Sequence, residues 1–310
     1  MKESNIDTVP VPVVVSVVIT CFNYGCYLAT CLQSVLAQTF HDYEIIVIDD
    51  GSTDNTDEVM QQYLSLSCLR YIRQVNIGQA RSKNRGVELA RGKYVAFLDA
   101  DDIWEKDKLE KQIKLFELPE VGVVYSKARL IDDNANVKEV GDWGVYLQPR
   151  SGWVTDWLLF DNFVWFSSSI VRKIFLERYG VFDENLVMGI DWDLWLRLSM
   201  HCKFDFVDES LLLYRMGHEG QMSKNLKMRF ASADIILRNF LSNNPQLENI
   251  EMLRKVKAYA FCNRGNYYCS VDRWQAALFF LRALLLNPSK RACWGLVKTL
   301  SPFRCKSKKL

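Results

Sequence analysis

Tyr94-Val95-Ala96-Phe97-Leu98-Asp99-Ala100-Asp101-Asp102 is an apolar run that stops abruptly on three carboxylates. The apolar part reads as a strand. Three carboxylates within four residues repel one another unless a cation is near; the plain alternative is a solvated turn. Two earlier segments have the same form. Val13 to Ile19, nearly all apolar and β-branched, suits a strand buried on both faces and ends at Thr20-Cys21-Phe22-Asn23. Glu44 to Ile48 ends at Asp49-Asp50-Gly51-Ser52, where Asp50 is either a ligand-facing group or part of a turn capped by Ser52 or Asp54.

Helical spacing fills the gaps. Tyr27–Gln38, Thr56–Tyr63, Ser82–Ala90, Lys106–Leu118 and Asp191–Met200 read as helices, and Leu69–Gln74 and Gly122–Tyr125 as strands. Strand and helix alternate with short connections, which predicts an α/β fold with a mainly parallel sheet flanked by helices. Ligands of such sheets bind at the carboxyl ends of the strands. Here that edge is acidic, so a nucleotide diphosphate can lie there only with a divalent cation between acid and phosphate. Neither Gly-x-Gly-x-x-Gly nor a P-loop is present, which excludes the usual dinucleotide and P-loop folds.

The stretch holding Trp143, Trp153, Trp157 and Trp165 has little periodicity, and its tryptophans read as core before sugar platforms. From about residue 225 the chain reads as helical. Lys257–Tyr268 and Trp274–Leu286, joined at Ser270-Val271-Asp272, resemble one tetratricopeptide-like helix pair, too few for a solenoid. The expected divisions are a tail over 1–12, an α/β domain over 13–224 and an all-helical extension over 225–310.

Composition limits the class. Hydrophobic content of 49% supports a packed core, and a net charge of +2 lacks the basic excess of a nucleic-acid binder. Nine scattered cysteines without Cys-x-x-Cys argue against a zinc site or a disulfide framework and fit a reducing cytoplasm. No run reaches the ~20 apolar residues of a membrane span. The Val9–Ile19 run holds two prolines and reads as a strand, not a leader. The basic end at Arg304, Lys306, Lys308 and Lys309, with Trp294 and Phe303, reads as a solvated tail or as a peripheral contact with the inner face of a membrane.

The motifs together resemble family 2 glycosyltransferases of the GT-A fold. The matching stretches are Ser16 to Asn23, Glu44 to Asp54, Asn76-Ile77-Gly78, Lys83 to Gly86, Gly92 to Asp102, Phe182-Asp183-Glu184, Asp191 to Arg197, and Tyr214 to His218. Any one is weak; their joint order and spacing over about residues 13–222 are specific. The resemblance implies an inverting transferase that moves one sugar, hexosyl or N-acetylhexosaminyl, from a UDP-linked donor. The acceptor would be a glycan, lipid-linked or other hydroxyl in cell-surface glycan or polysaccharide assembly. It implies that Thr20, Phe22 and Asn23 line the nucleotide pocket and that Asp50 accepts from a pyrimidine imino group. Gly78, Lys83 and Ala100 would belong to the donor site, and Asp99 would bind the ribose. Asp101 would hold Mn2+ or Mg2+, with His218 as a further metal or phosphate contact. Asp191 would be the general base, with Asp193 as its rival. Three departures stand out: Ile190 where the family often has Glu, Lys83 where it often has Arg, and no Gln-x-x-Arg-Trp of processive synthases.

Two other functions fit the fold class. A sugar-nucleotide nucleotidyltransferase would show a glycine-rich basic loop after the first strand, and Thr20-Cys21-Phe22-Asn23 is not one. A non-catalytic GT-A protein acting as a binding module would have no need for the acidic cluster and Asp191.

Overall fold

A computed structural model describes residues 13–138, 147–218, 220–247 and 249–300. The expected tail over 1–12, Trp143, and the end with Phe303 and its four cations lie outside the described residues.

Two compact units make up the chain: 1–154 with 162–186 and 190–221, and 222–310 with 155–161 and 187–189. The first holds one mixed sheet. Its elements run β1 (Val15–Cys21), α1 (Gly25–Leu36), β2 (Tyr43–Asp49), α2 (Thr56–Gln61), β3 (Leu69–Arg73), α3 (Gln79–Leu89) and β4 (Tyr94–Asp99). They continue through β5 (Ile103–Trp104), α4 (Lys108–Ile113), β6 (Val121–Ile131) and β7 (Val137–Lys138). After α5 (Thr155–Leu158) of the second unit come β8 (Ile170–Arg172), α6 (Lys173–Tyr179), α7 (Ile190–Ser199) and β9 (Lys203–Arg215). The strand order is β3-β2-β1-β4-β8-β6-β9-β5, with β7 paired to β6.

The first four of these strands are parallel, β8 runs antiparallel to β4 and β6, and β6 and β9 are parallel. The register places Cys21 opposite Asp49 and Thr20 opposite Asp99, so the polar ends of β1, β2 and β4 meet at one edge. Packing holds that edge still. Leu28, Cys31, Leu32 and Val35 recur at helical spacing on α1 and are wholly buried against the sheet. α3 lies close on β1 because Gly86 has no side chain: a Cβ there would stand 2.3 Å from Val18 Cγ1.

The expected helix over 106–118 is shorter. α4 ends at Ile113 and a 3-10 turn follows over Lys114–Glu117, with Phe116 already off helical angles. α4 also buries Lys108 completely. Its Nζ sits 3.9 Å from the centre of the Trp104 ring and has no hydrogen-bond partner among the described residues. Burial pulls its pKa well below the usual lysine range. Between that lowered value and the ordinary lysine range the unfolded chain holds more proton there than the folded chain, so stability rises with pH across that window. Lys108→Met is expected to raise stability near neutral pH by about 1–3 kcal/mol, the usual penalty of an unpartnered buried donor. The gain should shrink as pH approaches ~10.4, where the unfolded lysine also loses its proton. Urea unfolding of both proteins across that range checks it; a destabilised variant at neutral pH would show that the contact of Lys108 with the Trp104 ring outweighs the cost of burial.

In the second unit, α8 (Leu226–Asn243), α9 (Ile250–Tyr268), α10 (Arg273–Leu286) and α11 (Lys290–Leu300) follow one another. Asn225, Asn249 and Asp272 cap α8, α9 and α10 by accepting from first-turn backbone N–H groups. The core of α9, α10 and α11 forms around Phe280, with Ala258, Cys262, Ala276, Ala283 and Ala292. Gly265 and Gly295 admit the Phe280 ring: a Cβ at either would come within 2.8 and 2.2 Å of it. Among the described residues no helix is long and apolar enough to cross a membrane, and no cysteine is in a disulfide.

Candidate functional site

The turn after β1 is fastened to the turn after β2. Asn23 takes a left-handed backbone conformation (φ 57°), which asparagine tolerates. Its backbone N–H donates to Ser52 Oγ (2.9 Å), and its Oδ1 accepts from the Thr53 N–H (2.7 Å). Phe22 beside it is 46% exposed.

Asp49 and Asp50 have different work. Asp49 closes its own turn, accepting from the Ser52 N–H (2.8 Å) and the Tyr71 hydroxyl (2.7 Å). Asp50 holds the loop ahead of α3. Its Oδ1 accepts from Gln74 Nε2 and the Ile77 N–H, and its Oδ2 from the Gly78 N–H, each at 2.9 Å. Gly78 needs to be glycine for its φ of 92°. A carboxylate oxygen has two lone-pair directions, so Oδ2 of Asp50 keeps one for a ligand donor.

Lys83 rises from α3, buried, to the end of β4. Its Nζ donates to Asp99 Oδ1 (2.6 Å) and Thr20 Oγ1 (3.0 Å) and lies 4.3 Å from the Phe166 ring centre. Lys83 therefore links two of the three strand ends. Burial still pushes the Asp99 pKa up; Lys83 opposes this and Asp101 adds to it. Ala100 is wholly buried behind the turn.

Asp101 and His218 are 117 residues apart in sequence, yet Asp101 Oδ2 and His218 Nε2 are 2.8 Å apart. The imidazole is buried between Tyr24 and Tyr27, each ring centre 5.4 Å away. Arg215, at the end of β9, builds this junction. Its guanidinium donates to the carbonyls of Asp101 (2.9 Å), Asp132 (2.6 Å) and Asp133 (2.8 Å) and stacks 4.6 Å over Tyr27. Its N–H donates to Asp102 Oδ1 (2.9 Å). The other Asp102 oxygen is buried without a hydrogen-bond partner, and burial, then Asp101 and Asp99, push its pKa well up.

Among the described residues no group of three His, Cys, Asp or Glu side chains is placed to hold a metal. A cation that arrives on two phosphates needs only one or two protein ligands, so the Asp101–His218 oxygen and nitrogen pair fits it. Asp102 lies beside this pair, and a cation arriving there would relieve the mutual repulsion that, after burial, pushes the Asp99 and Asp102 pKa values up.

Asp191 lies in the first turn of α7, one residue after Ile190, and its Oδ2 accepts from Asn162 Nδ2 (2.7 Å). Burial raises its pKa and the charge on Asp99 adds to that, against backbone N–H groups and Asn162. A base at a helix start is expected to have a low pKa from the dipole; here desolvation wins. Asp193 is tied down: Arg197 grips its Oδ2 through Nε (2.9 Å) and Nη2 (2.8 Å) and also donates to the Tyr179 and Val181 carbonyls. Sequence reasoning missed Asn162 and Arg215's clamp. Arg215 lay inside a quoted motif, but nothing in the chain pointed to Asn162.

The model of the glycosyl transferase family 2 matches residues 16–175, just over half of the chain. An uncharacterized glycosyltransferase of Methanocaldococcus jannaschii is 29% identical over 252 residues, 79% of this chain and 86% of its own length. The chain spans only 38% of the length of the Rickettsia felis and Nostoc relatives that it also matches. Among solved structures, S. aureus TarS 1-349 in complex with UDP-GlcNAc superposes with a TM-score of 0.58 at 17% identity, covering 92% of this chain and 89% of that one. A mannosyltransferase from Pyrobaculum calidifontis, in complex with GDP-Man and Mn2+, gives 0.56 at 17%, covering 92% and 84%. At such identity these two carry the fold, a GT-A sheet with a helical region after it. By the family match, over the strands that build the acidic edge, the chain belongs to glycosyl transferase family 2.

Proposed function

We propose that the chain is an inverting glycosyltransferase that moves a single sugar from a UDP-linked donor to an acceptor hydroxyl in cell-surface glycan or polysaccharide assembly. The observation that carries this is the meeting of Asp101 and His218 at the strand edge that also holds Asp99, with Asp191 near enough to feel the Asp99 charge. Asp50 would take the base N–H through its remaining acceptor direction, and Asp99 the ribose hydroxyls. Phe22 would cover the base, while Thr20, Asn23, Gly78, Lys83 and Ala100 shape the pocket. Lys83 holds Asp99 in place and brings a positive charge to the edge where the leaving diphosphate would lie.

Asp101 and His218 would hold Mn2+ or Mg2+, which when bound supplies charge stabilisation to the departing diphosphate. Asp191, kept in position by Asn162, takes the proton from the acceptor hydroxyl as that oxygen attacks the anomeric carbon. Attack opposite the leaving group inverts the configuration. The UDP choice is supported by the TarS complex with UDP-GlcNAc, and the cation by the mannosyltransferase complex with Mn2+.

A panel of UDP-, GDP- and dTDP-sugars, with and without Mn2+, tests this by thermal shift and by release of nucleoside diphosphate. A donor at 100 times its Kd adds about 2.7 kcal/mol of stability. Stabilisation and UDP release with a UDP-sugar and Mn2+ are expected. Consumption of a nucleoside triphosphate with pyrophosphate release would make the chain a nucleotidyltransferase. Binding without release for every donor and acceptor would make it a binding module.

A further inference from the structure

The net charge of +2 is a difference between two segments of opposite sign. Residues 1–221 hold 22 Lys and Arg against 33 Asp and Glu, a net −11; residues 222–310 hold 17 against 4, a net +13. The basic segment coincides with the helices of the second unit, and its last ten residues contribute Arg304, Lys306, Lys308 and Lys309.

The same unit leaves an apolar face in water. Trp274, Leu278, Leu281 and Leu285 follow one another at i, i+4, i+7 and i+11 on α10, and they are 79%, 54%, 44% and 86% exposed. The opposite side of the helix, with Ala276, Phe280 and Ala283, is the one that forms the core. On α11, Trp294 and Val297 are also exposed, and the Lys298 ammonium lies 5.5 Å from the Trp294 ring centre.

We propose that this helical unit binds an anionic bilayer surface, with the Trp274–Leu285 row of α10 sunk among the lipid headgroups and the lysines and arginines of residues 222–310 drawn to the lipid phosphates. Single exposed leucines are ordinary. A row of four with a tryptophan at one end, in a segment of net +13, has the composition of a helix that lies in the membrane interface. Each basic residue near an anionic surface adds attraction, and an apolar face with a basic patch gives the two signals that stable attachment needs.

Other occupants fit less well. A second copy paired symmetrically through the same row would bring two +13 segments together. Residues 301–310 carry four cations and only Phe303 and Leu310 as large apolar groups, a composition that suits an anionic surface better than an apolar face. A soluble polyanion would use the cations and leave the row in water. The inference is independent of the catalytic reading, because the face shares no residue with the acidic edge.

Flotation of the full chain with phosphatidylcholine vesicles, with and without about one third phosphatidylglycerol, tests it. Binding is expected only with the anionic lipid, weakening as salt shortens the screening length. Leu278→Glu/Leu285→Glu, on exposed positions that leave the fold intact by circular dichroism, should reduce the partition coefficient by about a hundredfold or more. No flotation of the wild type at low salt would overturn the proposal. Equal flotation of wild type and double variant would overturn the α10 assignment. A wild-type dimer that the double variant breaks, without vesicle binding, would make the face a self-interface. Tight binding to heparin, unchanged in the variant and unmatched by vesicles, would make the partner a polyanion.

Discussion

Asp101→Ala is expected to abolish sugar transfer while leaving the fold intact. The fold should survive because the clamp on this loop reaches the Asp101 carbonyl, which alanine keeps, and not its carboxylate. The side chain meets only His218 among the contacts that build the junction. Chemistry should fail because a departing diphosphate gathers charge, and several kcal/mol of its stabilisation would come from the ion that Asp101 holds. That corresponds to a loss on the order of 10³-fold or more in turnover. Two measurements check the prediction: UDP release by the variant, and calorimetric donor affinity with and without Mn2+. The variant should lose the metal-dependent part of donor binding. Full turnover by Asp101→Ala, or by the wild type in excess EDTA, would refute the metal role.

The acidic edge was legible because its information is local. An apolar run that ends in Asp99-Ala100-Asp101-Asp102 announces both a strand and the edge where it stops. The same holds for β1 and β2, and for α1, whose buried residues keep one helical stripe. β9 was not legible. Asp205, Asp208 and Glu209 interrupt its apolar residues, and its register against β6 shifts within Ser126–Ala128, so no alternation survives in sequence. β8 is three residues long, below any period.

Long-range pairs were hidden for a different reason. Nothing local joins His218 to Asp101, or Asn162 to Asp191; the sheet brings them together. The Asp191 pKa shows the limit most clearly. Its place at a helix start is a local fact and argues for a low value, whereas the burial that raises it depends on the whole fold. The charge division between residues 1–221 and 222–310 was in the sequence all along, but one net figure for the whole chain concealed it.

Asp191→Asn should leave donor binding nearly unchanged and lower turnover by about 10² to 10⁴, the usual contribution of a general base. That is roughly 3 to 5 kcal/mol of barrier. The amide keeps the size of the carboxylate and can still meet Asn162, but it cannot take the acceptor proton. The raised pKa gives the prediction a second part. Asp191 works deprotonated, and its proton persists to higher pH than on an ordinary aspartate. Wild-type kcat/KM should therefore fall on the acidic side at a pH above the usual aspartate range, and the residual activity of Asp191→Asn should lack that limb. Asp193→Asn is the control. Its side chain points about 200° away around α7, and Arg197 already holds it. Asp193→Asn should cost stability through that broken ion pair while keeping its pH limb. If Asp193→Asn instead removes turnover and Asp191→Asn does not, the base lies two residues further along. If neither substitution matters while Asp101→Ala does, the acceptor is not activated from this helix, and the configuration of the product must be measured before inversion can stand.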